Sequence, residues 1–118
     1  VSETKTLDAL IGKTFDSVTN GQDVELRFKG LFGEEYRLYH YQDCCEDVEI
    51  VDICGELTDL VGTPILRAEE TVNDSKDTDF GSKTWTFYRF ETVKGLVVVR
   101  WKGESNGYYS ERVTFEKL

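Results

Sequence analysis

Asn106-Gly107 stands between two aromatic and β-branched runs, and that placement constrains the chain more than any other feature. Asn-Gly between alternating apolar segments is the strongest short hairpin signal, because both turn residues must adopt positive φ. Residues 84–90, 96–102 and 110–116 are rich in Val, Phe, Tyr, Trp and Thr, and Lys94-Gly95 separates the first two. A two-residue turn at Asn106-Gly107 predicts a 101–112 hairpin with Lys102 opposite Glu111 and Trp101 opposite Arg112. The same register sets Val98 opposite Phe115 and Glu104 opposite Tyr109. It pairs an ammonium with a carboxylate, a guanidinium with an indole and two apolar side chains.

Alternation of period two runs through most of the remaining chain. Val24, Leu26 and Phe28 alternate with Asp23, Glu25 and Arg27, and Tyr36, Leu38 and His40 with Arg37, Tyr39 and Tyr41. Val48 and Ile50 continue the pattern, which Val51 and Ile53 shift by one, as a β-bulge does. Two short helices are expected. Residues 2–10 form the first, where Leu7, Leu10 and the following Ile11 stand at helical spacing before Gly12, and residues 56–61 form the second, ended by Gly62 ahead of Pro64. Leu57-Thr58-Asp59-Leu60-Val61-Gly62 echoes Leu7-Asp8-Ala9-Leu10-Ile11-Gly12, which reads as one stop signal used twice by chance rather than as a duplication. Residues 65–72 read as a strand and 73–82 as a polar loop. The expected fold is α+β, mainly antiparallel β: residues 1–118 form one domain, a twisted sheet with one or two short helices. At 118 residues there is room for one core that needs no metal or disulfide staple.

The net charge of −9 is unevenly spread. Residues 38–82 hold twelve acids against Arg67 and Lys76, whereas residues 83–118 hold four acids against seven bases. No Lys or Arg falls between Arg37 and Arg67. Such a field repels nucleic acid and attracts basic protein surfaces, so direct nucleic-acid binding is not expected. No apolar run approaches the ~20 residues that cross a bilayer, and the start shows no leader, so no membrane association is expected. Cys44, Cys45 and Cys54 are odd in number, two of them adjacent. On an extended strand those neighbours point to opposite faces. This predicts three reduced thiols, no bound metal, no cofactor and a cytoplasmic setting.

Catalytic motifs are absent: there is no phosphate loop, no HExxH and no spaced CxxC pair. Two aromatic–polar clusters remain, residues 39–46 and 101–109. Tyr and Trp beside short polar side chains typify recognition surfaces. The candidate binding residues are His40, Asp43, Cys45 and Glu46 in the first cluster. Trp101, Glu104, Asn106, Tyr108 and Tyr109 are those of the second, and Asp47, Glu49 and Asp52 form a candidate acidic surface. One recognition site requires the two segments to meet in space.

The run Gln42-Asp43-Cys44-Cys45-Glu46 is followed by Asp59-Leu60-Val61-Gly62-Thr63-Pro64, Thr84-Trp85-Thr86-Phe87-Tyr88 and Glu104-Ser105-Asn106-Gly107-Tyr108-Tyr109. Together these resemble a small domain family encoded by bacteriophages and some bacteria. The resemblance covers nearly the whole chain. It implies a phage or prophage accessory protein in the host bacterial cytoplasm, and no catalytic role transfers with it. The leading expectation is a non-catalytic binder that antagonises a host protein with a basic surface, in antiviral defence. The alternative is a sponge for a nucleotide-derived signal, stacked on Trp, Tyr and His, with Arg89, Arg100, Lys102 and Arg112 taking phosphates. A thiol- or metal-dependent enzyme ranks third. Oligomeric state is not legible.

Overall fold

Side chains alternate in and out along strands, and the buried residues here fall on two facing surfaces. The computed structural model of the chain describes residues 3–4, 6–42, 45–77, 81–106 and 110–118. Its strands are β1 (Glu3–Thr4), β2 (Phe15–Gly21), β3 (Glu25–Gly30), β4 (Glu35–Tyr39), β5 (Asp47–Cys54), β6 (Arg67–Asp77), β7 (Gly81–Thr92), β8 (Gly95–Ser105) and β9 (Thr114–Lys117). They build two antiparallel sheets, ordered β1-β9-β4-β3-β2 and β5-β8-β7-β6. Mainly antiparallel β is the architecture, but the one sheet expected is two.

The core lies between the sheets. Leu26, Phe28, Tyr36 and Leu38 face Tyr88, Phe90, Val97, Val99 and Trp101, all buried. Phe28 and Phe90 meet edge-on at 5.3 Å across the interface, and Phe15 adds a second contact to Phe28 at 5.3 Å. The phase shift in β5 is a bulge between Ile50 and Asp52, which leaves Val51 on the surface.

Three expectations change. The helices are single 3-10 turns, Leu7–Leu10 and Leu57–Leu60. Each is stopped by a glycine at positive φ, Gly12 at 85° and Gly62 at 82°, before a second turn forms. The polar stretch 73–82 is largely strand, because β6 continues to Asp77 beside β7. The 101–112 hairpin register does not form. Lys102 lies opposite Glu49 and Trp85, Val98 opposite Cys54 and Arg89, and Phe115 opposite Leu38 in the other sheet. Both flanks of β8 are already filled by β5 and β7, so the chain after Ser105 crosses to pair with β4. Gly107 of the expected turn falls outside the described residues.

The echoed string is structural rather than chance. Gly12 N–H donates to the Ile65 carbonyl (2.8 Å) and Gly62 N–H to the Phe15 carbonyl (2.9 Å). Bridges Ile11–Ile65 and Phe15–Val61 are likewise equivalent, with Thr14 and Pro64 paired between them. Leu10 and Leu60 are both fully buried. The order β9-β4-β3-β2 maps onto β5-β8-β7-β6 when β2, β3 and β4 are matched to β6, β7 and β8. Two halves thus repeat one unit about a pseudo-two-fold, and each unit receives its fourth strand from the other half.

Candidate functional site

Exchanging those fourth strands requires two crossovers, residues 40–46 and 106–113, and each buries a carboxylate. His40 continues the inward phase of Tyr36 and Leu38, so its ring enters the interface, where the side chain is 4% exposed. Its Nδ1 lies 2.7 Å from the Arg112 carbonyl and its Nε2 2.7 Å from Glu46 Oε2. A carbonyl can only accept, so Nδ1 carries a hydrogen, and the Nε2–Oε2 contact holds one proton more. The Glu46 side chain is 0% exposed. Gln42 Nε2 donates to its carbonyl at 2.6 Å and reaches Oε1 at 3.3 Å. A carboxylate this deep persists because both oxygens are met.

Glu111 holds the second crossover by different chemistry. It is buried, accepts from Thr84 Oγ1 at 2.7 Å on Oε1, and accepts from the Ser82 and Ser105 hydroxyls on Oε2. Thr84 Oγ1 also lies 3.0 Å from Asp74 Oδ1. Further along the same inner face, the Tyr88 hydroxyl donates to Glu70 at 2.7 Å. Burial pushes that phenol well above its ordinary range, and the Glu70 carboxylate adds to the shift.

Among the described residues, clefts open beside both crossovers. One of 510 Å³ is lined by Cys45, Asp47, Ser82, Lys83, Ser105 and Asn106 among others, and one of 360 Å³ by His40, Tyr41, Glu46, Ser110, Arg112 and Thr114. A groove of 520 Å³ runs between the first 3-10 turn and the second crossover, past Asp8, Glu70 and Arg112.

The two sequence clusters therefore meet in space. Asp47 sits opposite Glu104, and Cys45 shares a cleft with Asn106. Asp43, Tyr108 and Tyr109 lie outside the described residues. Glu104 is half-buried. The Lys102 ammonium at 3.1 Å holds its carboxyl below the usual range, with Lys83 at 3.7 Å assisting. Trp101, expected on a recognition surface, is instead a core side chain at 0% exposure, because its phase on β8 matches Val97 and Val99. Cys45 sits in a bend rather than on an extended strand and is disulfide-bonded, while Cys54 is free and exposed. The expectation of three reduced thiols is corrected accordingly. Ser82, Thr84 and Glu111 were not singled out from the sequence. Their signal was available: Ser82 and Thr84 share the phase of buried Tyr88 and Phe90, which marks a polar patch on an inward face.

A family of domains of unknown function, DUF7448, matches residues 8–115. The chain belongs to this family. The matched span contains both 3-10 turns and both crossovers, so the buried carboxylates fall inside the family domain. No curated protein and no solved structure matches the chain. Among the described residues no helix is long and apolar enough to cross a membrane, and no group of three His, Cys, Asp or Glu side chains is placed to hold a metal ion.

Proposed function

We propose that the chain is a non-catalytic binding protein that engages a partner with a basic surface through the outer face of β5. One observation carries this reading. β5 is an edge strand whose buried Val48 and Ile50 turn Asp47 and Glu49 outward, and neither of these carboxylates makes an ion pair among the described residues. Asp52 extends the row, held at 3.5 Å by Arg100 from the neighbouring strand. Glu56 follows at the turn. The row is pre-organised by a sheet and faces solvent, so its field steers a cationic surface toward it. Following the resemblance seen in the sequence, the partner is a host protein of bacterial antiviral defence, and the setting is the host cytoplasm, where a phage accessory protein antagonises it.

The test is capture from host lysate by the full chain and by the D47K/E49K/D52K variant. The partner captured by the parent chain is expected to elute as salt rises, because charges farther apart than about 8 Å are screened at physiological ionic strength. The triple variant is expected to capture none of it while keeping its melting temperature within a few degrees, since exposed charges contribute about 1 kcal/mol or less each. Equal capture by both proteins refutes the acidic-face reading.

A further inference from the structure

The 360 Å³ cleft between the crossovers differs in charge from the rest of this acidic chain. Its lining combines His40, Tyr41 and Glu46 from the first crossover with Ser110, Arg112 and Thr114 from the second crossover and β9. His40 and Glu46 share their protons, so the pair is neutral as a unit, and the remaining formal charge in the lining is the Arg112 guanidinium. Arg112 is exposed, and its side chain makes no hydrogen bond or ion pair among the described residues. Its backbone, by contrast, is pinned twice. The carbonyl accepts from His40 Nδ1 at 2.7 Å, and the N–H donates to Ser110 Oγ at 3.3 Å. A guanidinium fork rooted on a fixed backbone is within reach of a planar or tetrahedral oxyanion in the cleft.

Two hydroxyls and a ring complete the set. Ser110 and Thr114 supply short donors at the same cleft. Tyr41 is 74% exposed, whereas Tyr36 and Tyr88 are buried and Tyr39 lies beneath the Arg37 guanidinium at 3.8 Å. Its position next to His40 leaves a flat apolar face at the rim of the cleft. The acids nearest in the fold make no ion pair with Arg112. Glu46 is engaged by His40 and Gln42, whereas Glu70 accepts from the Tyr88 hydroxyl and keeps its charge, and the Arg112 guanidinium is near enough to act on that phenol. Asp8 lines the adjoining groove and makes no ion pair with Arg112.

We infer that this cleft binds a nucleoside monophosphate, with the phosphate on Arg112, Ser110 and Thr114 and the base stacked on Tyr41. The volume is near the lower end of small-molecule sites, which run from about 300 to 1,000 Å³. It therefore accommodates one nucleotide. A longer polyanion meets the surrounding acidic surface and is repelled. The site is independent of the acidic face of β5, and its outcome does not depend on the proposal made for that face.

The experiment is titration of the full chain with adenosine monophosphate and, separately, with inorganic phosphate, followed by amide chemical shifts and calorimetry. Saturable shifts are expected at residues 40–41 and 110–114 with adenosine monophosphate, and weaker binding with phosphate at the same place. Arg112→Ala is expected to weaken both ligands about tenfold or more, and Tyr41→Ala to weaken the nucleotide about tenfold while leaving phosphate unchanged. Both residues are exposed, so circular dichroism of each variant should match the parent. The D47K/E49K/D52K variant should bind the nucleotide at least as well as the parent. Absence of saturable nucleotide binding, binding indifferent to Arg112→Ala, or equal affinity for both ligands that ignores Tyr41→Ala overturns the assignment.

Discussion

His40 is a clamp between two segments that are distant in sequence. One ring nitrogen holds the backbone of the second crossover, and the other holds the carboxylate that anchors the first. Removing the ring takes the Nε2 partner away from Glu46 Oε2 and leaves a carboxylate in the interior without it. Breaking a buried ion pair from one side costs about 3–5 kcal/mol, so His40→Ala should lower the unfolding free energy by that order. Glu46→Gln keeps a hydrogen-bonding amide of the same shape beside a neutral imidazole and should cost about 1 kcal/mol. Urea unfolding of the two variants checks the pair. Equal losses would mean that His40 acts by packing alone. The sequence placed His40 on an inward phase and grouped it with Glu46, but it could not show Arg112 as the third member. That contact spans two sheets, and no local spacing encodes it.

Strand by strand, alternation in Val24-Leu26-Phe28, Tyr36-Leu38 and Val48-Ile50 marks the faces correctly, and the break at Val51 marks the bulge. Partner choice is another matter. β8 presents the same apolar phase to any neighbour, so residues 110–116 and β5 are equally acceptable partners on pattern alone. The crossover decides between them, and it is fixed by contacts such as that of Glu111 with Gly103. A β-carbon on Gly103 would come within 2.7 Å of Glu111 Cβ and 2.8 Å of its carbonyl oxygen. Gly103→Ala should therefore push the second crossover off β8, at about 1–3 kcal/mol for overpacking plus whatever hydroxyl contacts of Glu111 are lost. Gly12→Ala provides the contrast. That position has φ of 85° and nothing within 4 Å of the added atom, so the expected cost is about 1–2 kcal/mol from backbone strain alone. Chemical denaturation ranks the two. A sharp chemical-shift change at Ser82, Thr84 and Ser105 in the Gly103 variant, and not in the Gly12 variant, would identify crossover displacement as the cause.

For the molecule as a whole, the pseudo-two-fold explains why both a repeat and an exchange were hard to see in the sequence. Only the turn strings Leu7–Gly12 and Leu57–Gly62 kept their similarity, because only there do both copies need the same buried leucine and the same positive-φ glycine. The strands differ: β6, β7 and β8 are longer than β2, β3 and β4, and their inner face carries Ser82, Thr84 and Ser105 where the other sheet buries Phe15, Leu26, Phe28, Tyr36 and Leu38. The exchange also sets the folding unit. A fragment ending at Gly55 carries β5 without β8, and one beginning at Glu56 carries β9 without β4. Each exposes the face that Phe28 and Phe90 bury against one another. An isolated sheet with one open apolar face and an unpaired fourth strand loses most of its hydrophobic stabilisation and gains an edge that invites association. Neither fragment should fold alone. Mixed in equal amounts, they should regain the full antiparallel β signal and the dispersed amide spectrum of the intact chain, because every ladder is restored by complementation across the cut. Circular dichroism and amide spectra of each fragment and of the mixture test this. A cooperatively folded 1–55 fragment would show that one unit suffices and that the exchanged strands decorate it rather than hold it together.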